Sequence, residues 1–239
     1  YMFNQKVILK KAIGKGGFGT VYLADVETAQ GFRKRIAIKQ LNPEIADSSE
    51  ALARQLAEAR LLGMLNHEHI VQVYDLGILD DKLSIFMEYI EGVSLSYLLK
   101  ESEIPIKASI EIIGNCADAL NSAYHTINPM SGECLKVIHR DIKPANILIS
   151  KTGTTKLLDF GIAKANFDRG IETQAKQIGT MRYMSPEQWL QGKTSEKVDI
   201  YALGFTFLEL LHQRFLPRLA LDETIFQKQQ NALILKLPL

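Results

Sequence analysis

Asp141 lies in the run His139-Arg140-Asp141-Ile142-Lys143-Pro144-Ala145-Asn146, followed by the apolar run Ile147-Leu148-Ile149. Three kinds of chemistry meet in this short stretch. Asp141 offers a carboxylate, Lys143 a fixed positive charge, and Asn146 an amide oxygen able to coordinate a metal ion. A base, a cation and a metal ligand so close together suit the transfer of a phosphoryl group to a hydroxyl. Proline, asparagine and aspartate are equally at home in a solvated surface loop. The octapeptide alone therefore does not decide, and the partner motifs must.

The stretch Gly14-Lys15-Gly16-Gly17-Phe18-Gly19-Thr20-Val21 spaces glycines at 14, 16 and 19. Without a Cβ in the way, backbone N–H groups can approach phosphate oxygens closely. The same spacing occurs in dinucleotide-binding folds, where the loop opens a helix. Here Thr20-Val21-Tyr22-Leu23 is β-branched and aromatic, which predicts a strand. An ordinary glycine-rich hairpin is the plain alternative. Further on, Asp159-Phe160-Gly161 is a common turn by itself, but Asp159 and Asn146 are oxygen donors of the kind a hard cation such as magnesium takes.

The elements that must hold these residues follow from periodicity. Residues 7–13 alternate loosely into the glycine stretch, and after the polar segment 27–34 a strand is predicted at Arg35-Ile36-Ala37-Ile38-Lys39. Residues 47–65 predict a helix: Asp47 and Glu50 are spaced as a capping box, and Ala, Leu, Gln, Arg and Glu follow. Arg54, Glu58 and Leu62 are four apart and share a face. An acid beside a core leucine is unusual on a surface helix, which singles out Glu58; Glu50, at the helix start, is the competing acid. Strands are expected at 70–77 and 83–90, a short helix at 94–100, and a long helix at 107–126, where Ile110, Ile113, Ala117, Leu120 and Tyr124 recur at three- and four-residue steps. Cys116 belongs in that helix's core and His125 at its end. Asn128 to Cys134 reads as a loop without an assigned function. A strand at 156–158, an apolar helix at 200–211 and a last helix at 222–235 complete the pattern. Asp199, at the mouth of the apolar helix, must find hydrogen bonds.

Together these motifs resemble the catalytic domain of eukaryotic-type (Hanks-type) serine/threonine protein kinases. The octapeptide matches H-R-D-x-x-x-x-N at every fixed position, Gly14 to Val21 matches G-x-G-x-x-G-x-V, and Ala37-Ile38-Lys39 matches the third-strand lysine. Asp159-Phe160-Gly161 matches the metal-binding triplet, and Met184-Ser185-Pro186-Glu187 stands where the family has Ala-Pro-Glu. The motifs run in family order from Gly14 to about Leu211, and the stretches Asp159 to Lys164 and Ser185 to Gln188 resemble bacterial members.

The resemblance implies an α+β, bilobal fold. A small antiparallel-sheet lobe with one main helix and the hinge would occupy 1–90, and a larger, mostly helical lobe 91–239, with ATP and Mg²⁺ (Mn²⁺ as the alternative ion) between them. It implies that Lys39, fixed by Glu58, holds the α- and β-phosphates, and that Gly14, Lys15, Gly16, Gly17, Phe18 and Gly19 cover them. Val21, Ala37 and Leu148 would contribute to the ATP site, Met87 would be the gatekeeper, and Glu88 to Ile90 the hinge. Asp141 would orient the acceptor hydroxyl and take its proton, Lys143 would steady the γ-phosphate, and Asn146 and Asp159 would hold the metal. His139, Phe160, Gly161, Glu187 and Asp199 would be structural, Asp199 accepting bonds from the catalytic-loop backbone. The resemblance also implies that Asn128 to Cys134 is a small insertion. Residues 162–183 resemble an activation segment. Thr173 is the only Ser or Thr between Asp159 and Gly179, and Arg140, Lys164 and Arg54 are expected to converge on a phosphate there.

The implied activity is transfer of the γ-phosphate of ATP to serine or threonine hydroxyls of proteins, itself included. A pseudokinase, a nucleotide-binding or scaffolding module, is the first rival; such proteins lose the lysine, the catalytic aspartate or the metal aspartate, and here Lys39, Asp141 and Asp159 are all present. A small-molecule kinase of related fold is the second. The intact glycine loop, Lys143 and Ser185-Pro186-Glu187 weigh against it.

Composition bounds the rest. The chain has 239 residues, 46% hydrophobic and 23% charged, which is ordinary globular usage. A formal net charge of +1 carries no polyanion signal, so nucleic acid is not expected as a partner. Cys116 and Cys134 are far apart and form no Cys-x-x-Cys pair, which points to a reducing compartment. No apolar run approaches the ~18 residues a transmembrane helix needs; Tyr201 to Leu211 is the nearest, and it carries Glu209. No signal peptide is expected. Because the first residue is Tyr1, the chain reads as a fragment, expected in the cytoplasm as part of a larger protein with room for a membrane anchor elsewhere. Nothing points to an oligomeric state. After Leu211 the family pattern fades. The larger lobe is expected to be truncated or divergent, the apolar helix under-covered, and Glu187 to lack a clear arginine partner, since Arg214 and Arg218 are poor candidates.

Overall fold

Strands dominate the first ninety residues because β-branched and aromatic side chains alternate there with polar ones. The computed structural model describes residues 6–16, 19–42, 59–160, 182–189, 195–217, 219 and 223–235. The chain divides into two compact units, Tyr1–Glu91 with Asn128–Glu133, and Gly92–Ile127 with Cys134–Leu239.

The first unit carries β1 (Lys6–Gly16), β2 (Gly19–Glu27), β3 (Arg33–Leu41), β4 (Val73–Leu79) and β5 (Lys82–Glu88), antiparallel in the order β1-β2-β3-β5-β4. β1 runs past the expected 7–13 because pairing continues through the glycines, with Gly14 opposite Val21 and Gly16 opposite Gly19. The glycine stretch is thus a hairpin and not a helix start. Gly19, with φ +154°, lies so close to β3 that an added Cβ would overlap the Gln40 carbonyl. On one face of the sheet Ala24, Val26, Ile36, Ile38 and Phe86 form a buried cluster with Val7, Leu9, Tyr74 and Leu79 packed on it. The period of two sends the intervening residues to the other face. Register then aligns Val21 with Lys39 and Ile85, and Ala37 with Met87.

β5 ends at Glu88, two residues short of the expected 83–90. Its edge is closed there: Glu88 N donates to Gln72 O at 2.9 Å, and the Glu88 carboxylate accepts from Gln72 N at 3.4 Å. Tyr89 and Ile90 leave the sheet. Of the helix expected over 47–65, residues 59–63 are helical, with Ala59, Leu62 and Leu65 buried. Arg54 and Glu58 lie outside the described residues.

The second unit is built on α1 (Leu95–Glu101), α2 (Ile106–His125), α3 (Pro186–Trp189), α4 (Lys197–Leu211) and α5 (Glu223–Leu235), with a small antiparallel sheet of β6 (Gly92–Ser94), β7 (Ile147–Ser150) and β8 (Thr155–Leu157). Ser94 caps α1 by accepting from Tyr97 N at 3.2 Å. α2 packs on α4, burying Ile112, Cys116, Ala119, Leu120 and Ala123. Burial pushes the Cys116 thiol up to about 12, so it stays an inert core group. At the end of α4, Gln213 turns back with φ +53° and clamps the α1–α2 connection. Its side chain accepts from Ile104 N at 2.9 Å and donates to Ile104 O at 2.7 Å. The insertion closes as a turn, with Ile127 bridged to Cys134 and the Asn128 side chain accepting from Met130 N. α4 buries Val198, Ala202, Leu203, Phe205 and Leu210 but leaves Ile200 61% exposed, so this apolar helix is open on one side among the described residues. β6 is too short to announce itself by alternation. It depends on Gly92, where a Cβ would overlap the Ile149 carbonyl of β7. Gly92→Ala is therefore expected to destabilise the fold by about 1–3 kcal/mol, the usual cost of overpacking. A urea midpoint equal to the parent's would show that β6 and β7 do not approach this closely.

Candidate active site

The loop around Asp141 is held from three directions. From below, Asp199 in the first turn of α4 accepts two backbone bonds of 2.7 Å each, from His139 N to Oδ2 and from Arg140 N to Oδ1. Asp199 is buried, which pushes its carboxyl up, and the neighbouring His139, its two backbone N–H donors and Arg140 pull it back. The two bonds pin the backbone where Arg140 adopts φ +61°, a left-handed conformation that costs a non-glycine residue about 1–2 kcal/mol.

From the side, the buried His139 ring links the loop to the strand end after β8. Its Nε2–H donates to Leu158 O at 2.8 Å, its Nδ1 accepts from Asp141 N at 3.3 Å, and it stacks on Phe160 with centroids 4.5 Å apart. These partners require the neutral tautomer with its proton on Nε2. Burial holds the ring below the ordinary histidine range, against the raising influence of Asp199, Asp141, the Leu158 carbonyl and Asp159.

From its own chain, the Asp141 carboxylate receives Lys143 Nζ at 3.1 Å on Oδ1 and 2.9 Å on Oδ2. The Asn146 amide donates to Asp141 O at 2.8 Å and to Oδ2 at 2.9 Å. A 3-10 turn at Pro144–Asn146 makes this reach short enough. Since the Asn146 nitrogen serves Asp141, its Oδ1 is the atom left to ligate a metal. Leu158 N donates to Asn146 O at 2.9 Å, tying Asn146 to the segment that carries Asp159, itself at φ +50°. An amide oxygen and a carboxylate make a hard donor set that fits Mg²⁺.

A cavity beside Asp141 is walled by Arg140 and Ile142 of the loop, by Tyr183 and Met184, and by Val198 and Ala202 of α4. Tyr183 packs edge-on against Phe205, centroids 5.7 Å apart, and its hydroxyl donates to Glu209 at 2.8 Å. Burial raises the Glu209 carboxyl; Leu216 N–H, Tyr183 and Arg182 lower it. Ser185 N donates to Gln188 Oε1 at 2.9 Å, which caps α3 and sets Glu187 in its first turn.

The structure thus gathers His139, Asp141, Lys143, Asn146, Phe160 and Asp199 into one cluster. Val21, Ala37, Lys39 and Met87 share one sheet face of the other unit, and Leu148 lies half-buried in β7. Gly17, Phe18, Gly161, Lys164 and Thr173, like Arg54 and Glu58, are outside the described residues. Sequence reasoning passed over Arg182, Tyr183 and the site role of Glu209. The available signal was a carboxylate inside an apolar helix, which requires partners from elsewhere in the chain. Arg182 lies 3.6 Å from Glu209.

The model of the protein kinase domain matches residues 7–237. The chain belongs to the protein kinase domain family. Among curated relatives, this kinase domain is 37% identical over 205 residues to the serine/threonine-protein kinase PrkC of Bacillus subtilis, covering 85% of this chain and 30% of that protein. It is 36% identical over 211 residues to the serine/threonine-protein kinase PknB of Mycobacterium tuberculosis, covering 85% and 32%. It is also 33% identical over 210 residues to the tyrosine-protein kinase MasK of Myxococcus xanthus, covering 85% and 32%. The kinase domain therefore spans about a third of the length of these relatives. Among solved structures, the PknI kinase domain of Mycobacterium tuberculosis superposes with a TM-score of 0.66 at 26% identity, covering 90% of this chain and 80% of that one. The bilobal kinase fold and the Hanks-type, bacterial character of the sequence are thereby established.

The His139 ring carries a pH dependence of definite sign. An unfolded histidine titrates near 6.5, and the folded ring lower. Between those values the unfolded chain binds the extra proton, so this contribution is complete above about pH 6.5 and falls by up to ~1.4 kcal/mol per pH unit below it. His139→Phe keeps an aromatic ring but cannot titrate. The stability difference between parent and variant, measured by urea unfolding, should narrow as pH drops from about 7.5 to about 5.5. A constant difference would mean that the folded ring titrates like an unfolded one.

Proposed function

We propose that this kinase domain transfers the γ-phosphate of ATP to serine or threonine hydroxyls of proteins, its own chain included. The observation that carries this is the Asp141 carboxylate, oriented by Lys143 and Asn146 and lining a small cavity whose walls are both polar and apolar. A hydroxyl entering that cavity would meet a fixed proton acceptor with a cation at its side. Asp141 takes the proton, and Lys143 balances charge on the transferred group. Asn146 Oδ1 and Asp159 would hold Mg²⁺, or Mn²⁺ as the alternative ion. ATP supplies the phosphoryl group and the metal neutralises its oxygens. Gly14 to Gly19, Val21, Ala37, Lys39, Met87, Glu88 and Ile90 on the first unit and Leu148 on the second are the nucleotide contacts, with Glu58 as the partner of Lys39. Positioning and charge then account for most of the catalysis.

Serine/threonine specificity is supported by Lys143 two residues after Asp141 and by relatives named serine/threonine kinases. One relative is named a tyrosine kinase, so phosphotyrosine must be scored as well. The reading includes control by phosphate on Thr173, gripped by Arg140, Lys164 and Arg54. Arg140 Nε is buried without a hydrogen-bond partner among the described residues, which suits an incoming anion. No described helix is long and apolar enough to cross a membrane; we place the domain in the cytoplasm, with protein substrates and no nucleic acid.

Two measurements test the reading. Mg·ATP at a hundred times its dissociation constant should stabilise the fold by ~2.7 kcal/mol; no shift in a folded sample would favour a pseudokinase. Asp141→Asn should lower transfer to a protein substrate by about 10²–10⁴-fold, the usual weight of a general base, while nucleotide binding stays near the parent value. Transfer at the parent rate would remove Asp141 from its assigned role.

A further inference from the structure

We propose that the end of the first unit's sheet around the β2–β3 turn is a docking surface for an anionic lipid bilayer, with Phe32 as the group that enters it. The proposal goes beyond the phosphotransfer reading and does not depend on it.

Charge is segregated in this chain. β1, β2 and β3 carry eight lysines and arginines against two acids, Asp25 and Glu27. Lys15 and Lys39 belong to the nucleotide contacts, which leaves Lys6, Lys10, Lys11, Arg33, Lys34 and Arg35, all exposed. Six cations against two acids is a local surplus of +4, where the whole chain carries +1, so the remainder stands at −3. Strand register gathers the surplus at one end. Lys6 is opposite Glu27, which is opposite Arg33, and Asp25 is opposite Arg35. The two acids do not cancel it. Asp25 is shared by Lys10 at 3.3 Å and Arg35 at 3.6 Å, and Glu27 is taken by Arg33 at 3.0 Å. Lys34 lies over the Tyr74 ring, 3.9 Å from its centroid. Lys6 and Lys11 pair with no acid among the described residues.

Lysines on an edge strand guard against pairing with another sheet. That accounts for Lys6, Lys10 and Lys11, since β1 is an edge, but β3 lies in the middle of the sheet. Arg33, Lys34 and Arg35 have no edge to guard. Phe32 adjoins them and is 65% exposed. Its turn is well bonded: Phe32 N donates to Thr28 Oγ1 at 3.2 Å, Thr28 N donates to Phe32 O at 2.9 Å, and Gly31 N donates to Thr28 O at 2.9 Å with Gly31 at φ +82°. The fold therefore fixes an aromatic residue at the strand end, followed by three cations. An exposed ring among cations fits a partner it can penetrate. In a bilayer the ring enters the headgroup boundary while lysine and arginine meet lipid phosphates. A folded acidic protein would need a matching pocket for the ring. A long polyanion would run on past this end along a chain whose remaining charge is −3, whereas a bilayer touches the one end.

The test is sedimentation of the 239-residue chain with vesicles of phosphatidylcholine alone and of equal parts phosphatidylcholine and phosphatidylglycerol. The chain should sediment with the anionic vesicles only. Salt that shortens the Debye length from about 10 Å to about 3 Å should release it. Phe32→Ser should weaken partitioning by about tenfold. Lys6→Gln combined with Arg33→Gln should weaken it by about 25-fold, from roughly fivefold per cation. These are surface positions, so both variants should keep the parent urea midpoint. Phe32→Trp adds a reporter to a chain whose own tryptophan is Trp189. The emission difference between that variant and the parent should shift to shorter wavelength on anionic vesicles, and this reading decides the matter even if the charge variant fails to fold. The proposal is overturned if the parent binds neither vesicle, if it binds both equally, if folded variants sediment like the parent, or if the emission at position 32 does not move. Tighter binding to polyglutamate or a single-stranded oligonucleotide than to anionic vesicles would also overturn it, in favour of a polyanion as the partner.

Discussion

Two hydrogen bonds into a buried carboxylate hold the second unit's chemistry in place. Asp199 sits at the start of an apolar helix, where an ion has no water to fall back on, and it takes His139 N and Arg140 N at 2.7 Å each. Those bonds require consecutive backbone N–H groups to point the same way, and Arg140 at φ +61° is the conformational cost. The rest follows as a chain of contacts. The His139 ring is set by its backbone and reaches Leu158 O, Leu158 N reaches Asn146 O, and the Asn146 amide reaches Asp141. Asp141 is thus oriented by groups that are themselves held, which is the preorganisation that proton transfer needs.

α4 carries a second buried acid, Glu209, ten residues after Asp199 and so about 15 Å along the helix. One carboxylate fixes the loop and the other fixes Tyr183 on the cavity wall. A helix rich in leucine and phenylalanine tolerates two such groups only because each has donors converging on it. This explains how a mostly apolar segment can organise a polar site. It also explains why Ile200 on its opposite side contributes nothing to that site.

The first unit works by a simpler rule. Antiparallel register with a period of two separates the side chains of β2, β3 and β5 into a packed face and an opposite face. Ile36, Ile38 and Phe86 fall on the first, and Val21, Ala37, Lys39 and Met87 on the second. A slip of one residue would exchange them. Gly19 helps prevent that slip, because its strand lies against the Gln40 carbonyl where only a glycine fits.

Much of this was legible in the residues themselves. Spacing alone put Asp141, Lys143 and Asn146 in one loop, since groups two and five residues apart cannot be far apart in space. The glycine pattern followed by β-branched residues declared a hairpin, and three- and four-residue steps declared α2. Local geometry is encoded locally, and those features need nothing else. The exceptions depend on contacts between distant segments. β6 exists because Gly92 can approach β7, and the end of β5 at Glu88 bonds Gln72, 16 residues earlier in the chain. The pairing of Arg182 with Glu209 crosses a separation of 27 residues, and that of His139 with Asp199 one of 60. The sequence by itself determined most of the elements, the family and the candidate residues of the site, because short-range spacing and side-chain chemistry carry that information. Only the tertiary structure decided which buried acid met which donor, because a carboxylate in an apolar helix announces that it needs partners without saying from where the fold will bring them.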